Sequence, residues 1–142
     1  MSDVKIKATA IQNDPDGNEL IINISCDGEI GTRNGRIYIK YEEDVSGEGD
    51  IVENTISFDP RERGIISLSR VGGIDMDCVF EEGKRYPCLY GFGIGALDLF
   101  ISSRNVENNM DIDGGEICLE YTAEARGVII QEIKYRLTVE KA

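Results

Sequence analysis

The stretch from Ile65 to Ser103 decides the fold, and it reads IISLSRVGGIDMDCVFEEGKRYPCLYGFGIGALDLFISS. In four of its segments the side chains alternate, and glycines or charged residues separate the segments. The positions that share one face are Ile66, Leu68, Arg70, Ile74, Met76, Cys78, Phe80, Tyr86, Cys88, Tyr90, Leu97, Leu99 and Ile101. Alternation with a period of two, interrupted by glycine, is typical of half-buried antiparallel strands. The stretch therefore predicts successive strands joined by tight turns, with breaks at Gly72-Gly73 and Gly91–Gly95.

The same alternation continues toward both ends of the chain. It predicts further strands over residues 4–11, 20–26, 29–32, 36–43, 52–58, 116–124 and 128–140. We expect Asp27-Gly28 to interrupt the second strand as a bulge or bend, and residues 105–112 to form a short, weak strand. No segment combines a period of 3.6 with helix caps, so we expect little or no helix.

The number of predicted strands bears on the architecture. Asn34-Gly35 between apolar flanks favours a type I′ hairpin, and short turns join most of the other strands. So many strands must hide their edges. A closed or nearly closed antiparallel up-and-down barrel of about 8–10 strands does this with few long crossovers. A two-sheet sandwich is the competitor, but its Greek-key crossings usually need longer connections. We predict one all-β barrel domain over residues 1–142.

The chain is strongly acidic, with 27 acidic and 15 basic residues and a formal net charge of −12. Such a surface repels nucleic acids and anionic membranes, both of which recruit Lys and Arg. A basic protein partner stays compatible with it. No apolar N-terminal segment follows a basic region, and no apolar run approaches spanning length. We therefore expect a cytoplasmic protein that binds neither nucleic acid nor membrane.

The four cysteines show no CxxC pair and no zinc-ribbon spacing. Cys26, Cys78 and Cys88 fall on inward positions, and the simplest interpretation is that they are small buried hydrophobes. Cys118 lies between Glu116 and Glu120 on the polar face, so we expect it to be the solvent-reactive thiol.

Five segments, in order along nearly the whole chain, resemble the YwiB-like family of uncharacterised bacterial proteins. They are Ile39–Glu43 (IKYEE), Leu68–Gly73 (LSRVGG), Met76–Gly83 (MDCVFEEG), Tyr90 leading to Gly95-Ala96-Leu97, and Asp111–Tyr121 (DIDGGEICLEY). Members of that family resemble the calycins, the lipocalin-type barrels, so the resemblance implies the same fold as the alternation. It implies no activity and no cofactor.

The residue types exclude several kinds of catalytic site. The sequence has no histidine, which removes Ser-His-Asp and Cys-His arrangements and the HExxH zinc site.

Residues 109–120 approach the EF-hand calcium pattern, but Asn109 replaces the usual Asp, no helix enters the loop, and Glu120 lies on a strand. A polar hairpin turn explains these residues better. Gly91, Gly93 and Gly95 lack the setting of a dinucleotide loop and are more typical of strand bends. We expect no metal, no cofactor and no catalytic residue.

Arg70 is the most informative residue, because alternation places its charge on the inward face beside Leu68. A buried charge is costly unless it is paired, and Glu43, in phase with Tyr41, is the inward carboxylate we nominate as its partner. Tyr41, Tyr90 and Tyr121 add inward hydroxyls. Two interpretations stay open: a lumen whose polar groups orient a small ligand, or a structural pair near one barrel end within a filled core. The candidate ligand-binding residues are Arg70, Glu43, Tyr41, Tyr90 and Tyr121.

Two functions follow as hypotheses. The first is a barrel that binds a small, largely apolar ligand in its lumen, and the second is an interaction module that uses its acidic surface. Enzymatic activity has the least support, because no fixed spacing brings two carboxylates together as an acid/base pair requires.

Overall fold

The computed structural model describes residues 1–72, 74–92 and 95–142. Ten strands span these residues: β1 (Ser2–Asn13), β2 (Glu19–Arg33), β3 (Arg36–Asp44), β4 (Ile51–Phe58), β5 (Ile65–Val71), β6 (Ile74–Glu81), β7 (Arg85–Phe92), β8 (Gly95–Asp111), β9 (Gly114–Ala125) and β10 (Val128–Lys141). Each strand pairs antiparallel with its sequence neighbours, and β1 pairs with β10, so the sheet closes into a barrel. The described residues include no helix. The predicted all-β, up-and-down barrel is confirmed, whereas the likeness to calycins stays a prediction.

The alternation explains which side chains form the core. Phe80, Cys78, Cys88 and Leu99 all lie inside the barrel and are buried, as the period of two predicts. Met76 packs against this core and is half-buried. The breaks expected at Gly72-Gly73 and Gly91–Gly95 fall partly on residues 73, 93 and 94, which lie outside the described residues, as does the side chain of Ile74.

Two local predictions are wrong. Residues 105–112 are not a short separate strand, because β8 continues through residues 105–111 with a register shift between Ser103 and Asn105, and Ile112 lies in the following turn. Asp27-Gly28 does not interrupt β2, which is continuous. A Cβ atom at Gly28 would lie 2.6 Å from the carbonyl oxygen of Lys40 and 2.3 Å from Cδ1 of Ile6. Glycine is therefore needed there for close approach rather than for a bend.

The two ends of the barrel differ. One end carries the β2–β3, β4–β5, β6–β7 and β8–β9 turns, and we call it the Arg63 end. The Arg63 guanidinium donates a hydrogen bond to the carbonyl of Met110 and lies 5.6 Å from the centre of the Phe58 ring. Asn108 Nδ2 donates to the Arg63 carbonyl at 3.1 Å. The β4–β5 turn is thus tied across this end to β8.

The opposite end, which we call the Arg70 end, has a gap between β2 and β3. β2 pairs with β1 from Glu19 to Ile30, but its ladder with β3 begins only at the Gly28–Tyr41 pair. From Glu19 to Asp27, β2 therefore has a strand partner on one side only, within the described ranges. The inward residues Ile22 and Ile24 of this segment are only half-buried.

The cysteines differ from the sequence-based interpretation. Cys78 and Cys88, on adjacent strands with Cα atoms 5.1 Å apart, form a disulfide. Both are buried as expected, but they are not independent small hydrophobes. Cys118 is only partly exposed, and its Sγ donates to Glu116 Oε1 at 3.3 Å. Desolvation, followed by the neighbouring Glu116 carboxylate, raises the pKa of Cys118 to about 11. A thiol with this pKa is almost entirely protonated at neutral pH, so the structure counts against the expected reactivity, which stays to be measured.

Candidate functional site

Register places a row of inward side chains across five strands near the Arg70 end. Tyr41 on β3 lies opposite Asn54 on β4, Asn54 lies opposite Arg70 on β5, and Arg70 lies opposite Met76 on β6. Tyr90 on β7 follows as the partner of Met76. Directly paired residues on one face of a sheet are close enough for their side chains to interact. The row therefore brings residues distant in sequence to one level of the barrel.

Arg70, Glu43 and Asn54 form a closed network. Arg70 Nη2 lies 3.2 Å from Glu43 Oε1, and Arg70 Nε donates to Asn54 Oδ1 at 3.0 Å. Asn54 Nδ2 donates to the same Glu43 oxygen at 3.4 Å. Asn54 is 2% exposed, whereas the side chains of Arg70 and Glu43 keep 20% and 19% exposure. The pair is thus compensated within the barrel and still reachable from solvent.

Three tyrosines face this network. The hydroxyls of Tyr41 and Tyr135 are 3.2 Å apart and share a hydrogen bond. The Tyr121 ring packs against Phe80 with centres 4.8 Å apart and a tilt of 57°. Desolvation raises the pKa of Tyr121 to about 12 and is also the main cause that raises the pKa of Tyr41 and Tyr135. All three are therefore neutral hydroxyls at physiological pH, suited to hydrogen bonding rather than to accepting protons.

These groups line a cavity of about 120 Å³. Its lining is Ala10, Gln12, Ile22, Ile24, Tyr41, Glu43, Asn54, Ile56, Ile66, Leu68, Arg70, Met76, Phe80, Ile117, Leu119, Tyr121 and Tyr135. Most of the wall is aliphatic or aromatic, and the polar groups are concentrated at the level of Arg70. An apolar wall with a few convergent polar groups is typical of a small-molecule site.

The structure brings together four of the five predicted site residues: Arg70, Glu43, Tyr41 and Tyr121 all line this cavity. Tyr90 does not line it, although it pairs with Met76 and packs against the core. Whether any of them binds a ligand stays a prediction.

Asn54, Tyr135 and Gln12 also line the cavity and were not among the predicted residues. The signal for Asn54 was present, because it is in phase with Val52 and Ile56 on β4. Tyr135 likewise falls on the inward face of the last strand.

Among the described residues that line the cavity, Glu43 is the one carboxylate. Glycoside hydrolysis by a paired acid and base uses two carboxyl groups. In the part of the chain that the structure describes, no three Asp, Glu, Cys or His residues are placed to hold a metal ion. The residues that approach the calcium pattern instead flank the tight turn between β8 and β9, where Asp113 pairs with Lys141 at 2.8 Å.

Comparison with known proteins identifies relatives without a known role. The family model described as "Domain of unknown function (DUF1934)" matches residues 4–137. The uncharacterized β-barrel protein YwiB of Bacillus subtilis is 24% identical over 108 residues, which cover 75% of this chain and 71% of YwiB. The crystal structure of the ywiB protein from Bacillus subtilis superposes with a TM-score of 0.86 at 19% identity, covering 99% of this chain and 92% of that one. At this identity the superposition shows a shared fold.

Proposed function

The chain belongs to the DUF1934 family, which is described only as a domain of unknown function, and from its lumen we propose that it binds a small, largely apolar ligand inside the barrel. The observation that carries the proposal is a cavity whose polar groups are not all used by the protein. Tyr121 has no hydrogen-bond partner for its hydroxyl among the described residues. Its hydroxyl is therefore available to a guest.

Arg70 supports the same proposal. A guanidinium has five N–H donors, and in Arg70 the bonds to Asn54 and Glu43 use Nε and Nη2. Nη1 makes no hydrogen bond within the described part of the chain. Arg70 and Tyr121 both offer donors to the same cavity, so the ligand's polar end is an acceptor such as a carbonyl, hydroxyl or carboxylate oxygen.

The size of the cavity limits the apolar part of the ligand. Its volume of about 120 Å³ is somewhat below the roughly 150 Å³ of an engineered cavity that binds benzene. A single small ring or a short branched chain fits this space, with any longer portion extending toward the gap between β2 and β3. Fold analogy with ligand-binding barrels adds little, because one fold hosts many functions.

Native mass spectrometry of gently purified protein tests for a resident ligand. Benzyl alcohol serves as a defined probe, and the amide chemical-shift changes that it causes report its binding. We expect shifts at residues that line the cavity. Ala10→Leu, which fills the lumen, should weaken binding about tenfold. Lys7→Leu, which adds the same side chain on the outer face of β1, should leave binding unchanged. Equal binding by both variants, or no shifts in the lumen, would refute the proposal.

A cytoplasmic location forms part of the same proposal and rests on the lack of a long apolar run in the sequence. None of the described residues forms a helix long and apolar enough to cross a membrane. Disulfides are rare in the reducing cytosol, so the Cys78–Cys88 pair gives a direct test. Trapping of thiols in intact cells should find both cysteines reduced if the protein resides there. A fully oxidised pair, in cells whose cytosol is reducing, would contradict this location.

A further inference from the structure

The unpaired edge of β2 is the feature of this barrel that its own fold leaves unused. From Glu19 to Asp27 the strand is paired with β1 alone. Apart from this ladder with β1, none of these residues pairs with another strand or makes a turn or loop backbone hydrogen bond within the described ranges. Alternate N–H and C=O groups of a strand point to each side, so this segment presents a row of free donors and acceptors. Such an edge is a template for another strand.

Side-chain exposure shows that no described part of the chain covers this edge. No residue from Glu19 to Asp27 is buried, and Leu20 and Ile21 are 56% and 52% exposed. Ile24 faces inward yet is only half-buried, whereas its β1 partner Ala8 is 3% exposed. The difference arises because β1 has a strand on both sides, β2 and β10, whereas at Ile24 β2 has only β1 beside it. A further strand would complete the wall at this place.

β8 also extends past the end of a neighbouring strand, but there the fold covers it. β8 extends beyond its ladder with β7, which ends at Ser102. There Arg63 donates to the carbonyl of Met110, and Asn108 donates to the carbonyl of Arg63. The β4–β5 turn thus covers the part of β8 that extends past β7, whereas the part of β2 that extends past β3 stays open.

Charges around the gap indicate what kind of strand fits. Glu19 and Asp27 mark the two ends of the open segment of β2, and Lys5 pairs with Asp27. Glu42 and Asp44 are exposed on β3 across the gap. A second copy of the chain is disfavoured, because antiparallel pairing about Asn23 would set Glu19 against Asp27. Each copy also carries a net charge of −12. A cationic strand is complementary to this edge.

We propose that the open edge of β2, from Glu19 to Asp27, binds an extended segment of a partner protein in which Lys or Arg alternates with β-branched apolar residues. The backbone of that segment pairs with β2, as in other strand-addition complexes. Its apolar side chains cover Ile22 and Ile24, and its cations face Glu19 and Glu42. Pairing of this segment with β2 requires no ligand in the lumen, although Ile22 and Ile24 also line the cavity.

The test uses the full chain and a fluorescein-labelled nine-residue peptide of alternating Lys and Val. Fluorescence anisotropy measures binding, and hydrogen exchange measures protection of the amides. We expect saturable binding with new protection at residues 19–27. A peptide of the same sequence with N-methyl groups at alternate positions keeps the charge and loses the strand pairing. It should bind at least about tenfold more weakly, because several main-chain hydrogen bonds are lost.

Charge is tested separately. The double variant Glu19→Gln/Glu42→Gln should weaken binding roughly fivefold, as expected when exposed charge pairs are removed. The single variant Glu82→Gln, in the exposed β6–β7 turn, is the control and should bind like the wild type. Equal binding of the N-methylated peptide would show attraction to the acidic surface alone and refute the proposal. Absence of protection at residues 19–27, or a dimer in sedimentation with that segment already protected, would also refute it.

Discussion

Arg70 Nη2 lies 3.2 Å from Glu43 Oε1 inside the barrel, and the bond joins β5 to β3 across the intervening β4. The side chains keep about a fifth of their exposure, so water screens the attraction more than in a fully buried pair, and Asn54 holds both partners. Its energetic role can be separated from any role in ligand binding by single and double substitutions.

We expect Arg70→Met to lower the free energy of unfolding by about 1–2 kcal/mol, because Glu43 is left without its cation. The double variant Arg70→Met/Glu43→Gln should lose less free energy of unfolding than the sum of the two single changes, because neither side chain is then left with an unpaired charge. Urea denaturation at neutral pH measures all four proteins. Strict additivity would show that the two side chains do not interact.

Ionisation of the lumen tyrosines should be delayed. Burial raises the pKa of Tyr121 to about 12 and also raises that of Tyr41 and Tyr135. Because the folded pKa exceeds the unfolded value, these hydroxyls contribute stability that is complete below pH 10 and is lost as the pH rises toward 12. A pH titration followed by the ultraviolet absorbance of phenolate should show tyrosines that ionise above pH 10, and Tyr121→Phe should remove one of them. An unchanged titration curve would contradict this assignment.

Cys118 should react slowly with thiol reagents. With a pKa of about 11, its thiolate fraction at pH 8 is on the order of one in a thousand. In a Cys26→Ser background, modification should be far slower than that of a small free thiol. Glu116→Gln should accelerate it, because the carboxylate that raises the pKa is removed. Rapid modification of the parent protein would mean that the thiol is not held as the structure shows.

Reduction of the Cys78–Cys88 disulfide should destabilise the barrel. The two cysteines are 10 residues apart in sequence, and closing a loop of this length is worth about 2–3 kcal/mol through the unfolded chain. Urea denaturation with and without reductant measures the difference. Cys78→Ser/Cys88→Ser is the control, because its stability should not respond to reductant. A parent protein equally indifferent to reductant would show that the thiols are unpaired.

Gly28 should tolerate no side chain. In Gly28→Ala the new methyl group would meet the Lys40 carbonyl at 2.6 Å, so β2 and β3 must separate. We expect a loss of about 2 kcal/mol or more in the free energy of unfolding. Gly64→Ala is the matched control, because a Cβ atom there meets nothing within 4 Å. Equal stability of the two variants would contradict the close approach of the strands.

Strand faces could be predicted from the sequence. The period of two placed Phe80, Leu99 and Arg70 on the inner side because successive side chains of a strand point to opposite faces. The Asn34-Gly35 hairpin was equally local, and both residues have the positive φ, 52° and 80°, that a type I′ turn requires. Closure into a barrel followed from the number of strands and their short connections.

Relations between strands were decided by the tertiary structure. Alternation fixes which face a residue occupies but not which residue it meets, because register depends on all the strands packing together. For this reason Cys78 and Cys88 were recognised as inward but not as a disulfide. Asn54 and Tyr135 joined the site while Tyr90 did not line it. The gap between β2 and β3 has the same origin. β2 stays paired with β1 from Glu19 to Ile30, whereas β3 departs from β2 on the N-terminal side of Gly28.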